Sequence, residues 1–278
     1  MTTLLILVAL LGLLPFAIGF ARLESGGTVG DRRALIASAL LCALAFSLTF
    51  LIQELGLVLP KALVPGLDPI LYHNDHDWSG DAPIAELLQG GGAVATLLSG
   101  LVFLWLAGQI APERTTWRLF AFWMAFQGLF QSLSQWAVGT QIAGNDVGRA
   151  LAYLGAGPGV KGPLLVTAVI GMAGAGMLLA QRWPGARADR GTALQWLAAL
   201  ALAVLLVIPF RIPREPVEVV LIPLVVHLIG LGWLTLGLAI KRPDGGDAAL
   251  ATTLAMPFAA LAALLALFQL GLRPGIAF

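Results

Sequence analysis

The sequence predicts an all-α membrane protein, a polytopic bundle of about eight transmembrane helices in a single domain over residues 1–278, and three observations predict it. The first is composition. Hydrophobic residues make up 59% of the chain and charged residues 11%, and mean hydropathy is +0.90. A soluble domain carries roughly 25% charged residues. This chain lacks the charge to cover a surface facing water, and lipid is the solvent that suits it.

The second observation is the spacing of the apolar residues. They gather into eight stretches near the ~20 residues that span a bilayer as helix. These are Met1–Ala21, Ala34–Ile52, Leu87–Ile110, Leu119–Val138, Pro163–Ala180, Thr192–Phe210, Val219–Ile240 and Ala251–Leu270. The first stretch has no Lys or Arg before Arg22. It lacks the basic region of a secretory signal and reads as a retained helix.

The third observation is the placement of cations. Alternate loops hold Arg22, Arg32, Arg33, Arg114, Arg118, Arg182, Arg187, Arg190, Lys241 and Arg242. The other loops and the C-terminal tail hold Lys61, Arg149, Lys161, Arg211, Arg214 and Arg273. Ten against six, under the positive-inside rule, places both termini outside. Net charge is +1, which gives no pull toward nucleic acid. The single cysteine, Cys42, excludes a disulfide within the chain and reads as a small packing residue.

Chemistry is sought in the polar residues that such a chain can hold only at a cost. Two long loops, Pro60–Glu86 and Gly139–Gly162, are expected on the outer side. Pro60, Pro65, Pro69 and Pro83 predict an irregular, stiff first loop. That loop contains Leu71-Tyr72-His73-Asn74-Asp75-His76-Asp77-Trp78, with two of the three histidines of the chain. Imidazole and carboxylate together bind divalent metals. The plainer reading is a solvated, hydrogen-bonded loop with Tyr72 and Trp78 at the headgroup level.

In the fourth stretch, Gln127, Gln131 and Gln135 fall within an arc of about 80°, with Ser132 and Ser134 nearby. Amides left unsatisfied in hydrocarbon cost several kcal/mol. These three are expected to face the bundle interior, either as interhelical hydrogen bonds or as the wall of a polar cavity. His227 lies mid-stretch and is expected to be buried and hydrogen-bonded. Gly90–Gly92 and the small residues after them, and Gly171, Gly174 and Gly176, predict close helix packing.

The second stretch runs into Phe50-Leu51-Ile52-Gln53-Glu54-Leu55-Gly56-Leu57. This resembles the His-Glu-Leu-Gly-His end of the zinc-bearing helix in membrane metalloproteases of the site-2-protease group. Those enzymes ligate zinc with two histidines one turn apart and use the Glu as general base. Downstream, Pro69–Asn74 is similar to the stretch after their zinc motif, and Gly91–Gly100 resembles their small-residue packing helix. Gly144–Arg149 resembles the segment whose Asp completes the zinc site, which puts Asp146 at that position. The resemblance runs from about Leu51 to Leu179. Only Glu54, Leu55 and Gly56 match the motif itself; Gln53 and Leu57 stand where the two imidazoles belong.

The resemblance implies a degenerate relative, a pseudo-metalloprotease with no catalytic residues, no bound cofactor and no zinc. The expected function is a non-catalytic integral membrane protein, an accessory or structural subunit of a larger bacterial membrane complex, for example photosynthetic or respiratory. The expected location is the bacterial inner (cytoplasmic) membrane. Lipid and membrane-protein subunits are the expected partners, and nucleic acid is not. Two other readings stand beside it. One is a transporter or small-molecule binder with a polar cavity of Gln53, Glu54, Gln127, Gln131, Gln135 and His227. The other is a metal-dependent membrane hydrolase using His73 and His76, with Asp75 and Asp146 as further ligands. The eight-span topology is checked by labelling: cysteines introduced at Ser79 and at Ala186 should react from opposite sides of the membrane.

Overall fold

The apolar stretches fold as helices, and the second, fourth, fifth and sixth of these helices outrun their stretches at both ends. The computed structural model describes residues 2–26, 32–185, 188–241 and 253–278. Ala186, Arg187, Arg242 and Ala251, which carried part of the topology expectation, lie outside the described residues.

Helix α1 runs through Thr2–Val8, a π-helical turn at Ala9–Leu13, and Leu14–Arg22. Helix α2 is Arg32–Ala62. A hairpin of β1 (Asp68–Leu71) and β2 (His76–Ser79) follows, then a short helix α3 (Ile84–Leu88). Next come α4 (Gly91–Gln109), α5 (Thr115–Gln141), a second short helix α6 (Asp146–Tyr153), α7 (Pro158–Arg182) and α8 (Arg190–Arg211). Helix α9 covers Val217–Leu221 and Ile222–Ile240, α10 covers Ala255–Ala266 and Leu267–Leu272, and β3 is Ile276–Ala277.

Seven of these helices are long and apolar enough to cross a membrane: α1, α2, α3 with α4, α7, α8, α9 and α10. The expected fourth span is α5. It is 27 residues long, but its four glutamines and its serines lower its apolarity below that of the others. Its environment explains why it tolerates them. Every residue from Ala121 to Ser132 is buried, so α5 is the central post of the bundle and meets protein rather than lipid over that length. Phe122, Trp123, Phe126 and Phe130 carry its apolar contacts. Phe122 packs edge-on to Trp183 at 5.0 Å, and Trp183 packs edge-on to Trp196 at 5.1 Å.

Two expectations are corrected. Helix α2 does not end at Ile52. It continues for ten residues, through Pro60 in its last turn, where the helix has little further to run. Pro60 and Lys61 are therefore helical, not loop residues, and Gln53, Glu54 and Leu57 lie buried within the helix. The loop after it is not irregular. Asp68 pairs with Ser79 and Leu71 with His76 in an antiparallel register, and Tyr72 N–H donates to the Asp75 carbonyl at 2.8 Å to close the turn. Asn74 and Asp75 favour such a turn. The C-terminal β3 adds to β1, giving a three-stranded sheet in the order β2-β1-β3.

The α4–α5 contact is one of several close approaches that small residues create. A Cβ added at Gly128 would lie 2.6 Å from the Gly100 backbone nitrogen and 2.7 Å from its Cα. Neither backbone can retreat without the helix. Gly128→Ala should lower unfolding stability in detergent by about 1–3 kcal/mol. Gly174→Ala, where a Cβ would meet nothing within 4 Å, should leave it unchanged or raise it slightly. Thermal unfolding of the two variants checks the difference.

Candidate functional site

Residues 53 and 54 of α2 are neighbours in sequence and point about 100° apart around the helix. That divergence builds the site. Gln53 faces α5, and Glu54 faces the hairpin.

On the α5 side, Gln131 and Gln135 sit one turn apart. The amide of Gln131 donates to Gln53 Oε1 at 2.8 Å, and that of Gln135 donates to the same oxygen at 2.7 Å. One carbonyl thus satisfies a buried and a half-buried donor and fixes the rotation of α2 against α5. Gln127, a turn deeper, belongs to a separate layer. Its amide donates to His227 Nε2 at 2.7 Å and to Cys42 Sγ at 3.2 Å. The His227 ring lies between Phe46 at 5.3 Å and Phe126 at 6.5 Å. One turn further in, Trp123 donates to Ser38 at 2.9 Å. Five of the six expected cavity residues therefore bond to each other in two layers, and Glu54 turns to the hairpin instead. An apolar cavity of about 390 Å³ opens elsewhere, between α2, α5 and α10, lined by residues such as Leu41, Leu44, Phe120 and Leu264.

On the hairpin side, the Glu54 carboxylate, itself buried, pairs with His76 Nδ1 at 2.8 Å. The His76 side chain is 10% exposed. Its ring stacks on Trp78 at 5.8 Å with 11° between planes. Trp78 also receives Lys61 Nζ over its ring at 4.5 Å and the Arg149 guanidinium at 5.1 Å. Trp78 is therefore a cation-flanked plate over the end of α2, where the sequence placed it at the headgroup level. Lys61 is fully buried, and its ammonium donates to the Leu57 carbonyl at 3.2 Å, a cation on the C-terminal turn of α2.

The hairpin turn docks on the end of α8. Asn74 donates to the Arg211 carbonyl at 2.6 Å, and His73 Nε2 donates to the Ile212 carbonyl at 3.2 Å. Arg214 bridges Asp75 and Glu218. Arg211 is buried, lies over the Phe50 ring at 4.3 Å and donates to the Glu218 carbonyl at 3.0 Å.

The four residues named from sequence as possible metal ligands are thus split. Asp75 and His76 converge with Glu54. His73 is turned away to α8. Burial pushes its imidazole below the ordinary value; the Ile212 carbonyl opposes this, and the guanidiniums of Arg273, Arg214 and Arg211 reinforce it. Asp146 opens α6 behind the Asn145 cap, whose side chain accepts from Val147 N–H at 3.1 Å. Burial raises the Asp146 carboxyl above its usual range, against the pull of His76, Arg149 and Lys61. Arg149 in turn holds Glu86 of α3 through two hydrogen bonds of 2.7 Å.

The zinc motif of the resembling proteases is not reconstituted. Gln53 has its oxygen committed to two glutamines, and Leu57 is fully buried against α4. A Cβ at Gly92 would lie 2.8 Å from Gln53 Cγ and 2.9 Å from Leu57 Cγ, so both side chains serve as packing against that glycine. Lys61, Asn74, Arg211 and Arg214 were not singled out from the sequence. The signal was there for Lys61 and Arg211: each adjoins a long apolar run in a chain with 16 cations in all.

Gln53→Leu should leave the buried amide of Gln131 and the half-buried amide of Gln135 without their acceptor and destabilise the bundle by about 2 kcal/mol. Replacing Gln131 and Gln135 by Leu in the same chain should recover part of that loss. Denaturant unfolding in detergent measures both.

Compared with known proteins, the chain matches no family model, no curated protein and no solved structure.

Proposed function

We propose that this chain is a non-catalytic integral membrane protein of eight spans, with α5 as the fourth and both termini outside. In this reading it serves as an accessory or structural subunit of a larger bacterial membrane complex, such as a photosynthetic or respiratory one. Its scaffold is similar to that of the site-2-protease group, with the metal-binding end of the second helix turned into a packing joint.

The observation that carries this reading is the state of positions 53 and 57. Hydrolysis by that scaffold needs two imidazoles there, three protein ligands in all, and a metal-activated water. Gln53 is held by Gln131 and Gln135, and Leu57 is packed on Gly92. Neither side chain is free to ligate. The transporter reading is weaker because the glutamines close on one another and on His227. The subunit reading draws support from the outer faces of α4, α7 and α10. Leu98, Leu101, Trp105, Ile170 and Leu270 are exposed there, a surface fit for lipid or for a neighbouring subunit's helices.

Isolation from native membranes in a mild detergent tests the reading. The expected result is a fixed stoichiometry with other membrane subunits and no cleavage of a co-expressed transmembrane reporter peptide. A chain that purifies alone overturns the subunit assignment. Cleavage that disappears in Glu54→Gln overturns the non-catalytic one.

A further inference from the structure

We infer that Glu54, Asp75 and His76 form a site for one divalent transition-metal ion, Zn²⁺ or Mn²⁺, that ties the hairpin to the buried end of α2. This goes beyond the non-catalytic reading and does not depend on it.

One ligand atom from each of the three residues lies within 4.8 Å of the other two. With metal–ligand bonds of about 2.0–2.2 Å, neighbouring donors around an ion stand roughly 3–4 Å apart. His76 Nδ1 and Glu54 Oε2, 2.8 Å apart, are close to that spacing before any ion is added. Two carboxylates and one imidazole make a mixed oxygen and nitrogen donor set, which suits Zn²⁺ or Mn²⁺ and lacks the sulfur that Cu(I) prefers.

The ligands come from two separate elements, and the His76 side chain is nine-tenths buried. Its two ring nitrogens diverge, so one ion takes only one of them. An ion on Nδ1 takes the place of the proton that Nδ1 shares with Glu54 and leaves the ring proton on Nε2, which has no hydrogen-bond partner among the described residues. A buried carboxylate–imidazole pair is costly by itself, and an ion shared with Asp75 offsets that cost.

The three donors are also held in place independently. Glu54 is fixed by the Gln53 joint next to it, Asp75 by the turn docked on α8, and His76 by pairing with Leu71 and stacking on Trp78. Asp75 is 47% exposed, so an ion can reach the group from the loop side. The cations facing the cluster set its limits. Arg214 holds Asp75 and competes with an ion for it. Arg211 and Lys61 act on Glu54, and Lys61 and Arg149 act on Asp146, which itself adds negative charge near Glu54 and His76.

The test is calorimetric titration of the full, tag-free chain in detergent, stripped with chelator, using Zn²⁺ alone and Mn²⁺ alone. The expected result is saturable binding of one ion per chain by at least one of the two. Glu54→Gln and His76→Gln should each weaken it at least ~10-fold. Arg214→Gln, which leaves all three ligands in place and frees Asp75, should tighten it. Bound metal should raise the thermal midpoint of the wild-type chain and not that of Glu54→Gln, which separates site loss from misfolding. Absence of saturable binding by both ions, or binding unchanged in Glu54→Gln and Asp75→Asn, overturns the site. Peptide cleavage by the metal-loaded protein would leave this site standing and overturn the non-catalytic reading instead. Absence of both binding and cleavage does the reverse.

Discussion

The carbonyl oxygen of Gln53, shared by two amides of α5, sets the geometry on which the rest of this structure depends. In an apolar bundle a polar side chain has no water to fall back on. The amides of Gln131 and Gln135 must find an acceptor inside the protein, and α2 supplies one. Once that contact is made, the rotation of α2 about its axis is no longer free. Glu54 then faces away from α5, toward the hairpin, because the helix turns about 100° per residue.

Small residues make the joint reachable. Gly92 lies between Gln53 and Leu57, and Gly100 and Gly128 meet backbone to backbone on the neighbouring contact. A side chain at any of these would push α4 away from α2 or α5 and lengthen the hydrogen bonds beyond use. The polar layers and the glycine contacts are therefore one arrangement. The amides need the close approach, and the buried aromatic stack around Phe122, Trp183 and Trp196 holds the post against which that approach is made.

The hairpin is held by charge and polarity where the spans are held by packing. His76 reaches Glu54, Asn74 and His73 reach the carbonyl end of α8, and Arg214 bridges Asp75 to α9. Trp78 lies between Lys61 and Arg149 and so links α2 to α6. An otherwise solvated segment becomes a lid on the α2 end because its polar residues find partners on more than one element: His76 on α2, His73 and Asn74 at the end of α8, and Asp75 on Arg214.

By itself the sequence determined the helical class, the places of the long apolar helices and the inward direction of Gln127 and Gln131, because composition and the cost of amides in hydrocarbon are local properties of the chain. It also marked His227 as buried. Tertiary structure alone decided that α2 runs ten residues past its apolar stretch, since Pro60 and Lys61 read as loop residues until Trp78 and the Leu57 carbonyl are seen around Lys61. It also decided that His73 and His76, three residues apart, separate. One joins α8 and the other Glu54, because the turn at Tyr72–Asp75 sends them to different helices. A strand register and a partner 22 positions away are not encoded in the spacing of neighbouring residues. They follow from which helices the bundle brings together, and that depends on contacts summed over the whole chain.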